Sequence, residues 1–437
     1  MTNRRILIAT DVPFWRKSTG AQQRIASLVD YLTSQSFDVQ TFYLGQTNSQ
    51  QYTQSDRELI ETFNLDVQQK SSDQPPQGLA KKIGWYADAT LNQIKQFRNS
   101  ATGTENSQAE SNSSSQPPVE PPTLEDYRWP WAIKAFAESI STYKPDFILI
   151  EYIKLAYLLD ALSDSQKVNI KTIVDTHDVL HLRANQFRES GFSHWIELSH
   201  EEESNQLKKF DSILAIQPTE ANIIRQMAPD CETIVCGHAT FSNSDSNSSR
   251  LTDDSARDLS QPLRIGYLAS TNAANAIAIE DFIENVWPNL PASDFELVVA
   301  GQICNWLTEN AKKLDGKLAK VKLIGMIDEL STFYDQVDVV INPVKFGSGL
   351  KIKNCEALAF GKPVLTTEHG FDGMPLESKS AVSICETPAE FETRLTEIQS
   401  QENILPQLQR AARELSQTAF SPEQAYSSLK RLLESKK

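Results

Sequence analysis

No stretch of this chain holds the roughly 18 to 20 consecutive apolar residues that a membrane-spanning helix needs. The opening, MTNRRILIATDVPFW, carries two arginines, but its apolar run ends at Asp11, so it reads as a first strand rather than a signal peptide. Cysteine is scarce and scattered. Cys231, Cys236, Cys304, Cys355 and Cys385 make no C-x-x-C pair, which argues against a disulfide scaffold or a zinc site and fits reduced thiols in the cytoplasm. Positive charge is in deficit, with 42 Lys and Arg against 57 Asp and Glu and a net charge of -15. Sequence-independent binding of nucleic acid needs clustered cations and is not expected, nor is broad attachment to an anionic membrane. No Asp-x-Asp run follows a strand where a divalent ion would meet a diphosphate, so no metal and no cofactor are expected.

What is present is an alternation of apolar strands and helical patterns, long enough at 437 residues for two cores. RILIAT (Arg5 to Thr10), the helical stretch Ala21 to Ser34 and the strand Phe37 to Leu44 make a βαβ start of the doubly wound kind. Further strands are expected at Phe147 to Ile150, Ile170 to Val174, Ser212 to Ile216 and Thr233 to Cys236. The rhythm restarts at LRIGYLAS and continues through Phe295 to Ala300, Lys320 to Ile324 and Val337 to Ile341. Two polar tracts interrupt it. Residues 68–126, rich in Ser, Gln, Pro and Asn, are expected to be a disordered insertion, holding one amphipathic helix at Leu79 to Phe97 with Trp85 and Tyr86. With Trp129 and Trp131 this helix reads either as plain packing or as a surface facing lipid or acceptor. The tract before Gln261 reads as a linker, so the expected division is 1–245, a linker at 246–261, a second domain at 262–420 and a terminal helix at 421–437, started by Ser421 and Pro422.

Chemistry concentrates in NPVKFGSGLKIKNCEALAFGKPVLTTEHGFDG, residues 342–373. A strand runs into a loop with Gly347 and Gly349, then into a helix that stops at Gly361. Glycines let backbone N–H groups approach a ligand, and the following helix aims its positive end at the loop, an arrangement suited to phosphate. Lys351 and Lys353 at the helix start are unfavourable there unless an anion compensates them. The plainer reading is an ordinary loop with solvated lysines. Elsewhere, Asp175-Thr-His-Asp ends a strand, which places His177 and Asp178 where ligands bind in such sheets, with Asp175 or Asp178 able to orient the imidazole.

The run Gly347-Ser-Gly-Leu-Lys-Ile-Lys, then Glu356-Ala-Leu-Ala, Gly361-Lys-Pro-Val and Thr366-Thr, resembles the donor-binding segment of GT-B glycosyltransferases, the group 1, family 4-like proteins that use nucleotide sugars. The resemblance implies an α/β fold of two Rossmann-like domains facing each other across a ligand cleft, acceptor domain first and donor domain second, with the terminal helix packing back on the first. It implies that Glu356 binds the ribose hydroxyls, that Gly20, Asn275, Gly347, Ser348, Gly349, Leu350 and Lys353 bind the donor, and that His177, Asp178 and Lys351 serve catalysis. A second glutamate, common in the family eight positions before Glu356, is Ser348 here, and the usual Arg and Lys after the first strand of the second domain are absent from YLASTNAANAIAIEDF. The function implied is metal-independent, retaining transfer of a sugar from a nucleotide-diphosphate sugar to a glycan or lipid-linked acceptor in polysaccharide, glycolipid or surface-glycan synthesis. The setting implied is the cytoplasm, with weak peripheral contact at the inner membrane face. The alternatives are a non-catalytic relative that binds a nucleotide sugar or a partner and, further off, a nucleotide-sugar epimerase.

Overall fold

A computed structural model describes residues 4–17, 19–45, 56, 58, 65–68, 121–240, 257–314, 316–327 and 329–435. Of the tract 68–126 expected to be disordered, residues 69–120, with the helix at Leu79 to Phe97, lie outside the described residues, as does most of the linker, whereas Gln68 ends a strand and Glu125–Tyr127 form a 3-10 helix, so both ends of the tract are ordered. The chain divides into two compact units, Met1–Arg16 with Val29–Val235, and Lys17–Leu28 with Cys236–Lys437.

The first unit is built on a parallel sheet of seven strands in the order β3-β2-β1-β4-β5-β6-β7. These are β1 (Arg5–Thr10), β2 (Asp38–Leu44), β3 (Leu65–Gln68), β4 (Phe147–Glu151), β5 (Lys171–Asp175), β6 (Ser212–Ala215) and β7 (Glu232–Val235). The central strands are near-continuous apolar runs such as FILIE, every residue of which is buried, as expected of strands covered on both faces. Strand order reverses between β1 and β4, so the loops after these two strands diverge and leave a crevice at their carboxyl ends. Helix α1 (Gly20–Ser34) follows β1 and starts on a reciprocal cap, with Gln22 N donating to Thr19 Oγ1 at 3.4 Å and Thr19 N to Gln22 Oε1 at 3.1 Å. Helices α2 (Leu180–Glu189) and α3 (His200–Leu207) follow β5.

The second unit holds a parallel sheet of six strands in the order β10-β9-β8-β11-β12-β13. Its strands are β8 (Leu263–Leu268), β9 (Phe295–Ala300), β10 (Val321–Gly325), β11 (Val339–Asn342), β12 (Val364–Thr366) and β13 (Val382–Ile384). Here the order reverses between β8 and β11, and the crevice is flanked by α4 (Ala273–Asn285), α5 (Ile352–Ala359) and α6 (Glu368–Phe371). The first half of α1 belongs to this unit. Arg24, almost fully buried, donates to the carbonyls of Cys236 (2.8 Å) and Gly237 (2.7 Å), and Ser27 takes a hydrogen bond from Tyr426 of α7 (Pro422–Glu434) at 3.0 Å. Both units are thus Rossmann-like, with parallel sheets and helices between strands. Among the described residues no helix is long and apolar enough to cross a membrane.

Candidate functional site

In the second unit the loop after β11 is shaped from within. Gly347 (φ 102°) and Gly349 (φ 81°) lie in the left-handed region, where a side chain is strained, which is why glycine stands at both. Lys351, at the cap position of α5 rather than inside its first turn, turns its Nζ back onto the carbonyls of Gly347 (3.0 Å) and Gly349 (2.8 Å). His369 of α6 places Nε2 2.7 Å from the same Gly347 oxygen, and Thr367 Oγ1 donates to Val344 O. Below the loop a buried amide relay runs from Asn342 Nδ2 to Asn354 Oδ1 (2.9 Å), and from Asn354 Nδ2 to Gly370 O (2.9 Å). Ser348 sits half-buried between the two glycines, and Leu350 is buried. Gly20, expected near the donor loop, does approach it: a Cβ at this position would stand 3.3 Å from the Cβ and Cδ1 of Ile352, so its role is close approach rather than a turn.

Lys353 points elsewhere than Lys351. Its Nζ donates to Asn275 Oδ1 at 2.7 Å and lies 5.0 Å over the ring of Tyr267, whose hydroxyl donates to Asn275 O at 2.9 Å. Asn275 is itself fixed at the start of α4, its Nδ2 donating to Ser270 O and its N to the capping Asn272 Oδ1, both at 2.9 Å. The asparagine read from sequence as a donor ligand thus orients the lysine. Glu356, one turn on and 9% exposed, is pushed up to about 8 by burial, against the pull of Lys353. Lys353 is pushed down to about 7 by the enclosure of its ammonium and by Lys351, against the pull of Glu356. A buried acid and a half-buried base poised near neutrality beside a glycine loop suit an anion on one side and hydroxyl donors on the other.

The second cluster lies at the carboxyl ends of β1, β4 and β5 in the first unit. His177, 5% exposed, has Nε2 2.6 Å from Oε2 of Glu151, a fully buried carboxylate that ends β4. The ring of Tyr152 stacks on the imidazole at 4.0 Å between centroids and 10° between planes. Tyr152 (φ 67°) and His177 (φ 60°) both occupy the left-handed region, at about 1 kcal/mol or more each, a cost that recurs at functional sites. Asp175 completes a trio whose donor atoms lie within 4.8 Å of one another. Two ligands at about 2.1 Å from one ion would stand about 3 Å apart, so the 2.6 Å contact of Glu151 with His177 is that of a shared proton. Asp178 does not reach the imidazole through this contact; it is held by both oxygens to Arg183 Nη1 at 3.0 Å. Beside it, Lys154 pairs with Asp11 at 2.6 Å under the rings of Tyr127, Trp195 and Tyr152, and His194 is pushed down to about 4 by burial and Arg183. Helix α2, which starts three residues after His177, lacks a capping side chain of its own. Glu203 of α3 supplies one, accepting from Leu180 N and His181 N at 2.8 Å each.

Of the residues singled out from sequence, Gly20, Asn275, the loop 347–350, Lys351, Lys353 and Glu356 gather at the switch point of the second sheet, while His177 and Asp178 lie at that of the first. Glu151, Tyr152 and His369 were not read from sequence. For Glu151 a signal existed: a charged residue closing the wholly apolar run FILI falls where ligands bind in such sheets.

Residues 262–400 match the glycosyl transferases group 1 family. The matching residues lie in the second unit. That segment contains the glycine loop, Lys353 and Glu356 together. None of the curated proteins matches the chain in sequence. Solved structures match over its whole length. HepE from Anabaena, in complex with UDP and glucose, has a TM-score of 0.64 at 12% identity, covering 99% of this chain and 100% of that one. Sucrose-phosphate synthase from Thermosynechococcus elongatus has a TM-score of 0.65 at 12% identity, covering 98% of each chain. A variant of S. aureus TarM, in complex with fondaparinux, alpha-GlcNAc-glycerol and UDP, has a TM-score of 0.63 at 8% identity, covering 99% of this chain and 100% of that one. The fold is GT-B, on the likeness to these structures.

Proposed function

We propose that the protein is a glycosyltransferase that moves a sugar from a nucleotide-diphosphate sugar to an acceptor hydroxyl. The observation that carries this reading is the pair Lys353 and Glu356, enclosed at the start of the helix after the Gly347 to Gly349 loop, within the segment matching glycosyl transferases group 1. In the transfer the bond from the anomeric carbon to the diphosphate oxygen breaks, a bond to the acceptor oxygen forms and the acceptor hydroxyl gives up its proton. Negative charge therefore grows on the leaving diphosphate. The backbone N–H groups of the glycine loop, the start of α5 and the ammonium of Lys353 are the fixed groups suited to it. Lys351 is engaged with loop carbonyls, so Lys353 takes the role of facing cation and Lys351 that of shaping the loop. Glu356 receives the ribose hydroxyls; its carboxyl, which burial keeps protonated up to about pH 8, strengthens both bonds once ionised.

His177 serves the sugar, as a hydrogen-bonding group for the donor or the acceptor. The donor is a UDP-sugar in this reading, because HepE and TarM are both described with UDP, and the acceptor is a glycan or a glycan on a carrier. Retention at the anomeric carbon and independence from metal are part of the same reading, the second supported by the fixed cations near the loop. A second reading, binding without turnover, is favoured by Ser348 in place of the family's first glutamate. A thermal-shift panel of UDP-, GDP- and ADP-sugars tests the first step: a selective rise in Tm is expected for one base, since a ligand of the native state alone stabilises it. No shift with any of them would remove the nucleotide-sugar reading in both its forms.

A further inference from the structure

The imidazole of His177 is clamped on an edge and a face by two consecutive residues. Glu151 is fully buried, its Oε2 stands 2.6 Å from His177 Nε2, and a carboxylate there accepts from a protonated Nε2. Tyr152, next in the chain, lays its ring parallel to the imidazole at 4.0 Å. Its own backbone is tied to the same place, Tyr152 N donating to Asp175 O at 2.9 Å, while Thr176, just before His177, is bonded to Leu214 O through both N (3.2 Å) and Oγ1 (2.9 Å). Two left-handed non-glycine residues, one on each of two adjacent strand ends, bring carboxylate, phenol and imidazole together. Packing alone would not select a buried charged group for the ring edge or hold both residues in that backbone region.

We propose that Glu151 and Tyr152 are positioning residues for His177, Glu151 fixing the proton on Nε2 and Tyr152 the plane of the ring, so that Nδ1 is presented as a hydrogen-bond acceptor to a sugar hydroxyl. This rests on the reading of His177 as a group that serves sugar transfer. It follows the general pattern in which a buried carboxylate sets the tautomer of a working imidazole. In the neutral ring a proton fixed on Nε2 leaves the lone pair on Nδ1, so that nitrogen accepts rather than donates.

The test has two arms on the full chain. The 15N resonances of the His177 side chain report its tautomer whether or not the protein turns over. The proposal expects the Nε2-protonated form in the wild type and loss of that preference in Glu151→Gln, whose amide can also donate. In the second arm, sugar transfer is measured in Glu151→Gln, His177→Ala and the double variant. Glu151→Gln is expected to lower kcat tenfold or more with KM within about threefold, and to add nothing in the His177→Ala background. A wild-type His177 protonated on Nδ1, a tautomer unmoved by Glu151→Gln, or an additive loss in the double variant overturns the proposal. So does a divalent ion that binds stoichiometrically and shifts both ring nitrogens. Absence of transfer with every donor, beside the expected tautomer, would instead sink the transferase reading and leave the pairing intact.

Discussion

At the scale of the residue, two lysines separated by one position do different work. Lys351 closes the loop on itself, and Lys353 is aimed across to Asn275 and Tyr267. Lys351→Ala should therefore act through loop order, weakening donor binding and kcat together, whereas Lys353→Ala should lower kcat more than binding, because a cation beside a leaving diphosphate matters most as charge develops. Steady-state kinetics beside calorimetric binding of UDP separates the two patterns, and identical behaviour of both variants would contradict the assignment. Glu356→Gln keeps the shape, and above about pH 8, where the wild-type carboxyl is ionised, it removes the charge and should cost about 1.5 to 3 kcal/mol of donor affinity, tenfold or more in Kd. The glycines and both lysines were legible in the spacing that follows a strand, and Glu356 only through the family resemblance. Which lysine faces outward was not, since a side chain's direction depends on loop carbonyls and on Asn275, 78 positions away.

At the scale of the element, the long buried strands announced themselves as continuous apolar runs, and the start of the last helix as Ser421 with Pro422. Leu65–Gln68 and Val382–Ile384 escaped notice because edge strands of four and three residues carry no period to read. The 3-10 helix Ile153–Ala161 was missed for a related reason, its apolar run IKLAYLLDA having neither strand nor helix period. The cap of helix α2 was not legible, since Glu203 comes from another helix 23 positions on. Glu203 is 1% exposed and accepts from two backbone N–H groups and faces His181 Nδ1 at 2.6 Å. Glu203→Ala should strand those donors and cost about 3 kcal/mol of stability, read as a fall in the urea midpoint of the first unit. A loss under about 0.5 kcal/mol would show that α2 is held by packing alone.

At the scale of the whole molecule, two parallel sheets with ligand-suited crevices at their switch points were foreseeable from the repeated strand and helix rhythm, and the chain has them. The pair Lys353 and Glu356 also leaves a trace in global stability. Burial holds Glu356 protonated in the native state between its ordinary 4.5 and about 8, so there the native state binds more protons than the unfolded one and stability falls as pH rises through that window. Glu356→Gln should remove this fall, and its Tm should drop less than that of the wild type between pH 5 and pH 8. Parallel Tm curves would mean that Glu356 is ionised throughout. The central claim, that the glycine loop with Lys353 serves breakage of a sugar-diphosphate bond, is tested most directly by release of the nucleoside diphosphate from a nucleotide sugar in the presence of acceptor glycans. The account predicts steady release by the wild type and at least tenfold less by Lys353→Ala at unchanged fold. Release from no donor, or equal release by the two proteins, would contradict it.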